Sequence, residues 1–127
     1  MKKEEFLNYP WHDTEILGVV IDRRQPGDKD TVEISVQWPD GSYALLCFVD
    51  CYAAKLQMNF GVVCTETILS ADYVEDRQDI AEIKNKWSSA GEGGILGLVC
   101  FEIETNSTAS NLRIYAMDCF VTAIQSP

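Results

Sequence analysis

Residues 31–49, TVEISVQWPDGSYALLCFV, constrain the fold more than any other stretch. Val32, Ile34, Val36 and Trp38 alternate with Thr31, Glu33, Ser35 and Gln37, the period of two expected of a strand buried on one face. Asp40-Gly41 then signals a tight turn, because glycine accepts the positive φ that such turns require. With these two residues at the turn's centre, Trp38 faces Tyr43, Val36 faces Leu45, Ile34 faces Cys47 and Val32 faces Val49. In that register Glu33 and Ser35 oppose Phe48 and Leu46, so the second strand is apolar on both sides. Leu46 and Phe48 then need a cover: a helix, a second sheet or a partner.

Further strand patterns flank this hairpin. ILGVVID reads as a strand that ends in the polar loop RRQPGDKD, with Pro26-Gly27 as its turn signal. AAKLQMNF sets Ala54, Leu56, Met58 and Phe60 against Lys55, Gln57 and Asn59, and the β-branched run VVCTETILSADYV suggests one more strand, with a short helix as its alternative. The period changes in DRQDIAEIKNKWSSAG. Ile80, Ile83 and Trp87 share a helical face, Asp76 suits the N-cap, Glu82 and Lys86 pair at i,i+4, and Gly91 suits the stop. After the GEGG loop, ILGLVCFEIET and LRIYAMDCFVTAI form a hairpin around NSTASN, in which Glu104 faces Arg113 and Ile103 faces Ile114. The expectation is one domain over residues 1–127, α+β and mainly β, with an antiparallel meander and hairpin sheet of six to eight strands and one amphipathic helix.

Charge and cysteine usage narrow the function classes. The 127 residues hold 20 acidic and 10 basic side chains, a net charge of −10. Such a chain repels phosphate backbones and anionic lipid and attracts basic protein surfaces. The opening MKKEEFLNYPWHD has no apolar core of secretory length and no later run approaches about 20 apolar residues, so neither a leader nor a membrane span is expected. The sequence therefore predicts a cytoplasmic protein without nucleic acid or membrane as partner. Cys47, Cys51, Cys64, Cys100 and Cys119 are odd in number and set among apolar residues, as small buried thiols in a reducing compartment are. Cys47 and Cys51 in one extended strand lie about 13 Å apart, too far to share a zinc ion unless the chain bends at Asp50.

Two groups of residues carry whatever chemistry the sequence offers. WHDTE holds the only histidine, and His12, Asp13 and Glu15 supply an imidazole and two carboxylates for metal binding or general base work. No second histidine completes the set, and the simpler reading is that Asp13 and Thr14 fix the entry to a strand while Trp11 packs over the sheet end. The other group is acidic: Asp72, Glu75, Asp76, Asp79 and Glu82 surround the helix start with Arg77 as the one nearby cation. Acids there complement the helix dipole, and they also suit a basic protein partner. Neither a nucleophile elbow nor a phosphate-binding loop is present, and Asn106-Ser107-Thr108, which matches a glycosylation sequon, reads as a turn where no secretory route is expected. No cofactor, metal or catalytic residue is assigned.

Taken together, the WHD-x-E-I-L opening, DTVEISVQWPDG, MNFG and CFEIETNSTASNLRIYA resemble a family of small uncharacterised bacterial proteins. More loosely, the His-Asp strand entry, the meander and the long final hairpin are similar to immunity proteins of bacterial polymorphic toxin systems. The resemblance implies a non-enzymatic domain that neutralises a toxin by binding it. Three expectations stand: a protein-binding domain acting through Asp72, Glu75, Asp76, Asp79 and Glu82; a small metal-binding domain or enzyme centred on His12, Asp13 and Glu15; and a homodimer joined through a sheet edge or the Leu46/Phe48 face.

Overall fold

The alternating apolar residues build a single sheet. The computed structural model describes residues 1–89 and 95–127. The chain runs through α1 (Lys3–Leu7), β1 (Glu15–Asp22), β2 (Thr31–Gln37), β3 (Tyr43–Gln57), β4 (Ile68–Val74), α2 (Gln78–Ser89), β5 (Val99–Thr105) and β6 (Asn111–Ile124). All pairings are antiparallel, in the order β1-β2-β3-β6-β5-β4. The architecture is α+β and mainly β, and β3 against β6 is its longest pairing.

Both faces of the sheet are put to use. Ile34 of β2, Leu46 and Phe48 of β3, Ile68 of β4, Phe101 of β5 and Ile114 of β6 all belong to one buried cluster. One face of strands across the whole sheet can converge on a common core only if the sheet curls around it, as strand twist allows. The curl brings the edges together: Asp13 N donates to Ile68 O at 2.9 Å, Ile68 N to Thr14 O at 2.7 Å and Ile16 N to Glu66 O at 2.8 Å. Beyond this seam β1 and β4 diverge, and each carries an irregularity, at Leu17 and at Leu69. Such bulges discourage edge-to-edge aggregation. On the opposite face α2 covers a second, smaller core of Ile80, Leu98, Cys100 and Tyr115.

The N-terminal segment plugs one end of the curl. Five residues are too few for a helix to form on propensity alone, and Lys2 makes no side-chain cap. The anchor of α1 is Phe6, which is fully buried, its ring centroid 4.7 Å from Trp11 and 5.2 Å from Phe101. Trp11 Nε1 donates to Phe6 O at 2.7 Å, so the indole's one polar group is satisfied in the core. Tyr9 stacks on Trp38 at 5.4 Å and continues the aromatic plug to the β2–β3 turn.

Several expectations need correction. The β2–β3 register is shifted by one: Gln37 faces Tyr43, Ile34 faces Leu46 and Val32 faces Phe48. The turn spans three residues, Pro39 to Gly41, closed by Trp38 N to Ser42 O at 2.8 Å, with Gly41 at φ 92°. Pro39 favours a turn followed by one left-handed residue, and that extra residue moves Leu46 and Phe48 onto the core face. Both are fully buried; they need no further cover and cannot form a dimer face. The AAKLQMNF segment is no separate strand. Its first half continues β3 past an irregularity between Cys51 and Ala53, where Asp50 takes φ 50°.

The remaining differences are local. The strand expected over residues 62–74 shortens to Ile68–Val74, preceded by an irregular loop. In α2 the first helical bond runs from Ala81 N to Arg77 O, so Arg77 rather than Asp76 occupies the N-cap position. The β5–β6 register is displaced by two, pairing Glu102 with Arg113 and Ile103 with Leu112. A shift of two keeps every side chain on its face. Gly91 and the GEGG loop lie outside the described residues. The helix α1 escaped the sequence reading because one buried phenylalanine shows no period.

Phe6→Ala removes the plug's central ring. The expected result is a loss of about 3–5 kcal/mol in unfolding free energy, measured by urea denaturation, with an unchanged far-ultraviolet spectrum in the absence of denaturant.

Candidate functional site

The WHDTE segment lies at the seam. Trp11 is in the core and Thr14 is fully buried, its hydroxyl donating to Pro10 O at 2.5 Å. Asp13 sits at φ 67°, a left-handed position that aspartate tolerates better than most residues. His12 and Asp13 stand at the surface, 3.6 Å apart, with side chains 68 % and 66 % exposed, and His12 Nδ1 lies 3.2 Å from Leu69 O. Glu15 lies within β1 opposite Gln37 and bridges to Thr67. Among the described residues, no group of three or more His, Cys, Asp or Glu side chains is placed to hold a metal ion.

The acidic run splits in two. Arg77 turns inward: its Nε and Nη2 hold Asp79 at 2.8 and 3.0 Å, and its Nη1 holds Glu102 at 2.7 Å. Arg113 Nε reaches the other Glu102 oxygen at 3.1 Å, and Tyr115 donates to Asp79 Oδ2 at 2.5 Å. Two cations and two carboxylates thus form a balanced network that ties the start of α2 to β5 and β6. The Arg77 bonds hold the Asp79 carboxyl well below the usual carboxylate range. Burial alone raises the Glu102 carboxyl, but the bonds from Arg77 and Asn111 leave it lowered. Burial, and then the bond to Asp79, push the Tyr115 hydroxyl up. Asp72, Glu75, Asp76 and Glu82 remain exposed. Among the described residues, none of the four is in a salt bridge.

The thiols also divide. Cys100 and Cys119 are buried, and Cys47 and Cys51 are half-buried. Burial pushes the Cys51 and Cys119 thiols up to about 12 and Cys100 up to about 11, so at neutral pH they are protonated and poorly nucleophilic. Cys64 departs from the buried expectation. It is exposed, and its sulfur donates to Ser107 Oγ at 3.0 Å.

A feature absent from the sequence reading lies beside the seam. The NSTASN turn is a hub: Asn106 N donates to Thr67 O at 2.8 Å, Ser107 Oγ to Thr65 O at 2.6 Å, and Thr108 Oγ1 to a Glu66 carboxylate oxygen. Asn59 is fastened to the same turn, donating its backbone amide to Ser110 Oγ at 2.9 Å and its Nδ2 to Thr108 O at 2.9 Å. Between these moorings the chain lifts Phe60, Val62 and Val63 into solvent, Phe60 85 % exposed and Val63 fully so. Below them and beside β1 lies a cavity of about 460 Å³, with Ile16, Val19, Met58 and Glu66 in its wall. Glu66 Oε1 is buried and has no hydrogen-bond partner. The only signal in the sequence was the apolar content of NFGVV in a segment that alternates poorly.

Protein-family models, curated proteins and solved structures contain no match to the chain. No helix of the described residues is long and apolar enough to cross a membrane.

Two outcomes follow from this geometry. The native-state pKa of Asp79 is depressed, so its contribution to stability is complete above its unfolded value near 4 and is lost as pH falls below that value. Urea titrations should show this loss in the wild type, whereas Asp79→Asn should cost about 2 kcal/mol at pH 7, between exposed and fully buried pairs, and flatten the acid limb. In the native protein an aromatic disulfide reagent should react quickly with one thiol, and Cys64→Ser should abolish that phase.

Proposed function

We propose that this chain is a non-enzymatic protein-binding domain that recognises a basic partner, in the manner of an immunity-type inhibitor of a bacterial toxin. The observation that supports this reading is the inward turn of Arg77. The one cation within the acidic run is used on Asp79 and Glu102, which leaves Asp72, Glu75, Asp76 and Glu82 as an anionic surface outside any salt bridge among the described residues. In a chain of net charge −10, such a surface speeds encounter with basic proteins and disfavours acidic ones. Asp79 is excluded from the contact surface, because its carboxylate is engaged within the fold. The likeness to immunity proteins in strand entry and final hairpin points the same way.

The test joins capture to kinetics. Affinity capture from the native bacterium should recover a basic protein whose association rate falls at least tenfold when salt is raised from 0.05 to 0.5 M, a range about an order of magnitude wide in ionic strength. The variant Asp72→Asn/Glu75→Gln/Asp76→Asn should slow association by a similar factor while its dissociation rate changes little. Association that is indifferent to both salt and these substitutions refutes the reading.

A further inference from the structure

We propose that the groove between β1 and residues 58–66 is a second docking site. Its occupant is a segment of a basic protein that sets one apolar side chain into the cavity and places lysine or arginine on the rim. Three observations carry this. The cavity, about 460 Å³, is walled by Ile16, Val19 and Met58 and roofed by Phe60, a volume that accommodates a large side chain with its neighbours. Phe60, Val62 and Val63 are displayed to solvent, yet the loop that carries them is moored at both ends to the 106–110 turn. A framed apolar loop loses little conformational entropy on binding, which distinguishes it from a floppy segment that happens to be apolar.

Charge selects the occupant. Residues 12–19, 58–69 and 105–111, which build this end of the seam, contain no lysine or arginine. Their acids are Asp13, Glu15 and Glu66: Glu66 is used internally, one oxygen on Thr108 and the other buried, whereas Asp13 is well exposed and Glu15 lies two residues from Leu17 of the cavity wall. A second copy of the chain would bring the same acids against these, and an anionic membrane surface would be repelled for the same reason. A basic segment gains on both counts: apolar burial inside and charge pairing at the rim. The site is separate from the α2 surface, since the seam adjoins the start of β4 whereas the outer acids lie in its second half and beyond.

A random 12-residue peptide library displayed on phage and selected against the purified protein supplies the probe. Enriched peptides should share an apolar residue flanked by lysine or arginine and shift the amide resonances of residues 16–19 and 58–66 in nitrogen-edited spectra. They should bind at least tenfold more weakly to Phe60→Ser/Val62→Ser, two changes at exposed positions that leave the core intact. Asp72→Asn/Glu75→Gln/Asp76→Asn should bind them as the wild type does, so the result stands apart from the fate of the α2 surface. The proposal falls if no peptides are enriched, if those enriched are acidic or uncharged, or if their binding ignores the loop variant. It falls equally if sedimentation shows a dimer, or flotation shows binding to phosphatidylcholine vesicles, that Phe60→Ser/Val62→Ser abolishes.

Discussion

Three backbone hydrogen bonds between Asp13, Thr14 and Ile16 on one side and Glu66 and Ile68 on the other hold the sheet's first strand against its last. The core depends on them, because six strands that stayed flat would present their apolar face to water with only the five residues of α1 to cover it. Curling solves the coverage problem with the sheet's own surface. It also determines what remains at the margins: the bonded end admits the aromatic plug of Phe6 and Trp11, and where the edges part the 58–66 loop fills the gap. The candidate groove is therefore a product of how the curl is closed.

The convex face follows a different logic. There α2 fully buries only Ile80 among its described residues, with Ile83 partly covered and Trp87 half-buried edge-on against Tyr52, and its start is secured by ionic contacts. Arg77 and Arg113 face Asp79 and Glu102 across a partly dry boundary. Each carboxylate there meets more than one donor, which offsets the desolvation that would otherwise disfavour it. This pairing also sorts the acids of the run into an internal member and four that face outward.

Much of the sheet was legible because its signal is local. Val32, Ile34 and Val36 alternate without interruption, and all three are buried. Faces were misread where a single residue intervenes: the left-handed Gly41 shifts β3 by one, and the irregularity near Tyr52 joins two apparent strands into one. Each depends on φ at one position, which residue type biases and does not dictate. At the site, the sequence pointed to the carboxylates but could not distinguish Asp79 from Asp76, because that choice depends on Glu102 and Arg113, more than twenty residues away. The moored loop was illegible for the same reason. Asn59 and Asn106 look like ordinary turn residues until β6 brings them together.

The strand β3 is longer than its neighbour β2, and their pairing stops at Val32 and Phe48. Among the described residues, Cys51 N to Asp30 O at 3.1 Å is the last backbone bond on that side, so Ala53–Gln57 overhang with only β6 beside them. The outline of the sheet is consequently stepped like a stair. Its tread is bordered by Asp50, Tyr52 and Trp87, and lengthening the β1–β2 connection would cover it without altering a single core residue.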